Sequence, residues 1–193
     1  MKTDGCGQSA IISDLDYVKI RRSMNPKYQL LLDVARYTGE RWGAIVQLSV
    51  SDCFDADWNP KEKITFKACT RKANTKGKRE TRCCPTHPQL HEKLAAYRHK
   101  ETSSWLFPSP WNPSEPITLK AADLVFRRAI AEANLADKGY STHSTRRTFI
   151  TELWKKGVDI YTIQLITGHK DLKSLTRYIE ADPARINRAI AVL

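Results

Sequence analysis

Read for the spacing of its apolar positions, the chain is mostly helix with one stretch of strict alternation. Ser13 to Arg22 predicts a short helix. Pro26 suits the first turn of a stronger one, in which Leu30, Leu31, Val34 and Ala35 form an apolar stripe that stops at Thr38-Gly39. A further short helix is expected from about Glu40, burying Ile45 and Leu48. The β-branched and apolar residues from Leu48 to Phe54 predict a strand. After a turn at Asn59-Pro60, Ile64, Phe66 and Ala68 alternate with Thr65 and Lys67 as a half-buried strand requires, and Glu80 to Cys84 returns as its partner. A small three-stranded antiparallel sheet is therefore expected.

Beyond it, Leu90, Leu94 and Tyr97 fit a helix within His87 to His99, and the four prolines between Phe107 and Pro116 demand an extended connection. Thr118 to Asn134 reads as a helix with Leu124, Val125, Ala129 and Ile130 on its apolar side. Ser141 or Thr142 caps the next, whose stripe is Phe149, Ile150, Leu153 and Trp154 and whose end at Lys155-Lys156-Gly157 is cationic and glycine-terminated. Asp159 caps a helix that runs through Ile163 to Gly168, Asp171 starts one reaching Tyr178, and Pro183 starts a last one with Ile186, Ile190 and Leu193 along one edge. The pattern is an α+β, mainly helical fold in one domain over residues 13–193, after a loose N-terminal segment of residues 1–12.

Charge narrows the partner. The 193 residues hold 32 Lys and Arg against 21 Asp and Glu, a formal charge of +11, which favours a polyanion. These cations are spread over loops and several segments instead of one amphipathic helix, so nucleic acid is expected and a membrane is not. No apolar run approaches the roughly 20 residues of a membrane span. The N-terminus lacks a charged-then-apolar signal pattern, and a cytoplasmic location is expected. The cysteines are five, odd in number and irregularly spaced, which points to reduced thiols. Cys84, His87 and His91 have a loosely zinc-like spacing, but Pro85 and Pro88 interrupt it and no second ligand pair follows, so no metal is expected. Arg71 to Arg79 holds five cations in nine residues at the tip of the expected hairpin. As a finger into a DNA groove, it offers Arg71, Lys72, Lys78 and Arg79 as phosphate contacts.

The chemistry concentrates near the C-terminus. His143 and Arg146 are three residues apart at a helix start, so both leave one face where the helix end adds partial positive charge. A phosphate suits such a place, because a guanidinium gives two hydrogen bonds in one plane and stays charged as negative charge develops. Gly168-His169 ends a later helix, and Tyr178 follows His169 by nine residues.

Together with Thr38-Gly39-Glu40-Arg41, these motifs resemble the catalytic domain of the tyrosine recombinases, or phage-type integrases, in residue type, order and separation over about residues 13 to 193. The resemblance implies a mixed, mainly helical catalytic domain without the N-terminal core-binding domain of complete recombinases. It implies Arg41, His143, Arg146 and His169 as the phosphate-activating set and Tyr178 as nucleophile. The basic hairpin then supplies a lysine, for which Lys76 matches best and Lys72 and Lys78 are alternatives. By that resemblance Tyr178 attacks a phosphodiester of double-stranded DNA to give a 3′-phosphotyrosyl link and a free 5′-hydroxyl, with no metal, nucleotide or other cofactor. Strand exchange in a tetramer on paired sites, accessory DNA-bending proteins and a place on the prokaryotic nucleoid belong to the same expectation. A relaxing topoisomerase of the same chemistry, and a DNA-binding module without turnover, are the alternatives. The chain departs from the family pattern at Ala44, where an acidic residue commonly supports the arginines, at Leu175, commonly threonine, and at Cys83-Cys84-Pro85, commonly an aliphatic pair before proline.

Overall fold

The computed structural model describes residues 9–71, 73, 77–97, 103–169, 172–176 and 190–191. Its contacts divide the chain into two compact units, Met1–Phe149 and Ile150–Leu193.

In the first unit, helix α1 (Asp14–Arg22) starts at Ser13, whose hydroxyl accepts the Asp16 N–H. Helix α2 (Pro26–Thr38) starts at Asn25, with Pro26 in its first turn, and ends where Gly39 turns left-handed at φ 59°. Six consecutive residues of α2, Leu30 to Ala35, are buried, so this helix is enclosed on all sides and is the centre of the core. Each such aliphatic side chain contributes roughly 1.5–3 kcal/mol by leaving water. Asp33 lies among them fully buried, and it is neutralised there. It accepts the Tyr17 hydroxyl, a forked pair of bonds from Arg21 at 2.8 and 3.0 Å, and has the Lys93 ammonium at 3.7 Å. Burial and the Asp33 charge push the Tyr17 phenol up, so Tyr17 stays a donor.

The short helix α3 (Trp42–Ile45) follows α2. Strands β1 (Lys63–Phe66) and β2 (Arg82–Pro85) pair antiparallel with Ile64 opposite Cys84 and Phe66 opposite Arg82. The sheet formed by the described residues has these two strands, not three. Leu48 to Phe54 has only isolated bridges, Ser49 to Trp105 and Phe54 to Pro60, with a 3-10 turn at Val50–Asp52 between them. The reason is local: the amide and hydroxyl of Ser49 both donate to Asp52, at 2.9 and 2.5 Å, and this closes the chain into a turn despite its β-branched composition.

Helix α4 (Pro88–Ala96) buries Leu90 and Leu94, and helix α5 (Leu119–Glu132) begins at Thr118. Its buried face is Ala122, Phe126, Ala129 and Ile130, while Leu124 is 50% exposed, so the apolar side is rotated from the expected one. Phe126, apolar and one turn from Ala122 and Ile130, takes the core place. The proline-rich segment is extended as expected, with Pro108 bridged to Pro116.

Helix α6 (Thr142–Lys155) carries the chain into the second unit, where Asp159 caps α7 (Ile160–Thr167) by accepting the Thr162 N–H at 2.9 Å and Gly168 ends it. Helix α8 (Leu172–Thr176) follows, and Ile163 and Leu175 are fully buried. The expected start of α8 at Asp171, its continuation to Tyr178, and most of the helix expected from Pro183 lie outside the described residues. Among the described residues no helix is long and apolar enough to cross a membrane.

Candidate active site

The turn from α2 to α3 places the first arginine. Gly39 adopts the left-handed conformation that a Cβ would oppose, and the following residues diverge: Glu40 turns inward and is 1% exposed, while Arg41 becomes the N-cap residue of α3. Arg41 lines a cleft of about 400 Å³. Among the described residues its guanidinium makes no hydrogen bond or ion pair.

The start of α6 forms the facing wall. Ser144 accepts the Ser141 N–H at 3.0 Å, satisfying one donor at the helix start. Trp42 locks α3 to α6 by donating its indole N–H to the Thr145 hydroxyl at 3.1 Å, with its ring 4.9 Å from that of Phe126. One turn of α6 therefore brings His143, which is exposed, and Arg146, which is buried, to the same cleft as Arg41. Arg146 is held by the Gly39 carbonyl, to which it donates at 2.7 Å. Arg147 points elsewhere, to the carbonyl of Ser9 at 3.1 Å.

Beneath the cleft, sequence spacing gave no sign of a hub. The Glu40 carboxylate accepts the Arg41 N–H at 2.8 Å, Arg82 Nη1 at 3.0 Å and Arg71 Nε at 3.2 Å, and lies 3.9 Å from Arg146 Nη1. Burial opposes its ionisation, but the Arg41 N–H and the charges of Arg82, Arg71 and Arg146 outweigh burial and hold the carboxyl below its ordinary range. Arg82 is almost fully buried, and its second nitrogen donates to the Thr38 carbonyl at 2.9 Å. The one hint in the sequence was an acidic residue inside the Thr38-Gly39-Glu40-Arg41 motif itself.

The hairpin stem brings Arg71 and Arg79 to the same cleft. Arg71 also donates to the Glu80 carbonyl and Arg79 to the Cys69 carbonyl, each at 2.8 Å, while Lys78 is exposed. Lys72, Lys76 and Tyr178 lie outside the described residues.

In the second unit, His169 sits one residue past the Gly168 turn, with Nδ1 2.6 Å from the Thr167 hydroxyl. That hydroxyl has one proton, and it goes to the Ile163 carbonyl at 2.6 Å, which can only accept. The Nδ1 of His169 is then the donor to Thr167, and a neutral ring carries its lone pair on Nε2. Cys84 is buried beside Arg82, and His87 caps α4 through Nδ1 and stacks on Tyr37 at 4.7 Å.

Comparison with known proteins agrees with this architecture. A family model described as the phage integrase family matches residues 11–185. The integrase of Escherichia phage 186 is 26% identical over 170 residues, which are 88% of this chain and 42% of that protein. Tyrosine recombinase XerC of Caldanaerobacter subterraneus is 31% identical over 75 residues, 38% of this chain and 21% of that one. The chain thus spans less than half the length of either relative. The crystal structure of XerA recombinase superposes with a TM-score of 0.72 at 18% identity, covering 96% of this chain and 65% of that one. The catalytic domain of bacteriophage HP1 integrase gives 0.66 at 23% identity, covering 95% of both chains. With nearly its whole length under one family model and the same fold in these solved structures, the chain belongs to the phage integrase family and has the fold of its catalytic domain.

Proposed function

We propose that the chain is a DNA strand transferase, the catalytic domain of a site-specific tyrosine recombinase, with Tyr178 as its nucleophile. The observation that carries this reading is the convergence of Arg41, Arg146 and His143 on one cleft, with the buried Glu40 carboxylate bonded to the Arg41 backbone N–H and 3.9 Å from Arg146. Several guanidinium groups around one cavity suit a phosphodiester, whose two non-bridging oxygens each accept paired hydrogen bonds and gain charge as a fifth oxygen approaches phosphorus.

In this reading the Tyr178 oxygen forms a bond to phosphorus and the bond to the 5′ oxygen breaks. The phenol, with an ordinary pKa of about 10, loses its proton towards the Nε2 lone pair of His169 as the arginines stabilise the anion. Lys76 gives a proton to the departing 5′ oxygen, so charge is neutralised at both ends of the displacement. His143 supports the phosphate beside Arg146. The 3′-phosphotyrosyl bond keeps the energy of the original phosphodiester, so a 5′-hydroxyl of another strand can attack it in reverse without ATP. Arg71, Lys72, Lys78 and Arg79 of the hairpin contact the DNA backbone, and the full-length protein acts as a tetramer on paired sites. Structural neighbours include XerH recombinase bound to its difH substrate and lambda integrase bound to a core site, and these support duplex DNA as the partner.

The test is a nicked suicide duplex, from which the fragment beyond the cleaved bond diffuses away. The wild-type protein should accumulate an SDS-resistant adduct with DNA, and Tyr178→Phe should form none. An equal yield from Tyr178→Phe overturns the nucleophile. Lys76→Ala should slow cleavage of an ordinary 5′ oxygen far more than of a 5′-thio leaving group, which needs no proton. Equal slowing of both moves the role to Lys72 or Lys78.

A further inference from the structure

At Ala44 the chain has a methyl group on the wall of the cleft and no acid. The carboxylate nearest the arginines comes from the other side of Arg41, from Glu40. It is 1% exposed, yet it accepts the Arg41 backbone N–H and faces three cations, Arg82 and Arg71 through direct bonds and Arg146 at 3.9 Å. Two of these groups, Arg41 and Arg146, line the cleft from α3 and α6, and a third, Arg71, comes from the hairpin stem. Arg82 adds nothing to the cleft wall; its guanidinium fills the remaining side of the carboxylate and ties it to the Thr38 carbonyl at the end of α2.

We propose that Glu40 is a positioning residue for the phosphate-activating arginines, fixing Arg146 and Arg71 in the cleft while its own bond to the Arg41 N–H sets the start of α3. The proposal rests on the reading of the cleft as a phosphate site. Gly39 and Glu40 hold Arg146 together. The Gly39 carbonyl takes one N–H and sets the plane of the guanidinium. The Glu40 charge behind it keeps a desolvated cation from moving out to water. Without that charge the guanidinium can relax outward by an ångström or so, enough to cost about 10²-fold where the transition state depends on aligned donors. Arg71 would lose its Nε partner at the same time, so the hairpin would lose one of its direct bonds to the α2–α3 turn.

The experiment compares adduct formation by wild type, Glu40→Gln and Glu40→Asp on two suicide duplexes, one with a natural scissile phosphate and one with a neutral methylphosphonate. Glu40→Gln should slow the natural substrate about 10²-fold and the methylphosphonate by much less, because the neutral centre leans less on the arginines. Glu40→Asp should recover part of the loss. Equal slowing of both substrates means that Glu40 acts only through the fold and overturns the proposal. Should Glu40→Gln not fold, Glu40→Leu paired with Arg82→Met removes the buried charges together; a wild-type rate and substrate ratio in that variant overturns the proposal as well. The Arg71 Nε–H resonance gives a readout that does not depend on cleavage. It should be protected from exchange in the wild type and lose that protection in Glu40→Gln. If the wild type forms no Tyr178-dependent adduct, the strand-transfer reading fails by itself, and an Arg71 resonance unmoved by Glu40→Gln would separately overturn the positioning role.

Discussion

Replacing Gly39 with alanine should cost more stability than the same change at any open left-handed glycine. A Cβ built at position 39 would meet Phe149 Cδ1 at 2.3 Å, Cγ at 2.7 Å and Cε1 at 3.0 Å, and the backbone there has φ +59°. The left-handed conformation alone costs a non-glycine residue about 1–2 kcal/mol. Overpacking against a ring that must move adds about 1–3 kcal/mol, for a total of about 2–5. Gly77 is the control within the same compact unit, since its φ is +73° and nothing lies within 4 Å of its Cβ position. Gly77→Ala should therefore cost the backbone term only, about 1–2 kcal/mol. Urea unfolding with linear extrapolation measures both. Combining Gly39→Ala with Phe149→Leu should recover most of the steric part, visible as a coupling of about 1–3 kcal/mol in a double-mutant cycle. If Gly39→Ala costs no more than Gly77→Ala, or shows no coupling with Phe149→Leu, the packing account of this turn is wrong.

Three further outcomes are expected. Thr167→Val removes the acceptor that fixes the His169 tautomer and should slow adduct formation on the suicide duplex about tenfold or more, with Thr167→Ser near wild type; a wild-type rate for Thr167→Val refutes the tautomer assignment. The Glu40 carboxyl is held below its ordinary value of 4.5, so the stability it contributes is complete above that value and is lost as pH falls through the lower folded value. The unfolding free energies of wild type and Glu40→Gln, followed from about pH 6 to pH 3, should converge towards the acid end, and a constant gap would refute the shift. In a Cys6→Ser background, Cys69 and Cys83 are exposed and should react promptly with a thiol reagent, whereas Cys53 and Cys84 are buried, their thiols pushed up by that burial, and should react only on unfolding. Prompt native-state reaction at Cys53 would contradict its burial.

Most helix limits were legible because caps are local chemistry. Ser13, Asn25, Thr118 and Asp159 each accept an amide in the first turn of the helix they precede, and Gly39 and Gly168 each end one in the left-handed region. The strand expected at Leu48 to Phe54 failed for an equally local reason: Ser49 and Asp52 are three apart and bond to one another, a pairing that β-branched composition hides. On α5, four apolar residues were assigned to one side, yet the core took Phe126 and left Leu124 half exposed, because the orientation of a helix is set by what it meets. The site divides in the same way. His143 and Arg146 sit on one helical turn, so their shared destination could be read from spacing. Glu40 and Arg82 are 42 residues apart, and nothing in either neighbourhood announces that one buried carboxylate will gather cations from the hairpin and α6.

The sheet has a consequence for how the protein behaves at high concentration. In a two-stranded sheet each strand has one side without a ladder, and such a side is a template on which another chain can pair. Here that template is four residues long on either strand, and Pro85, at the end of β2, has no N–H to offer. Lys63 stands exposed at the start of β1, in a molecule whose formal charge of +11 already repels its copies. An incoming strand finds too short a register and too much like charge to propagate. The sheet edge is thereby kept from nucleating aggregates, although no third strand among the described residues covers it.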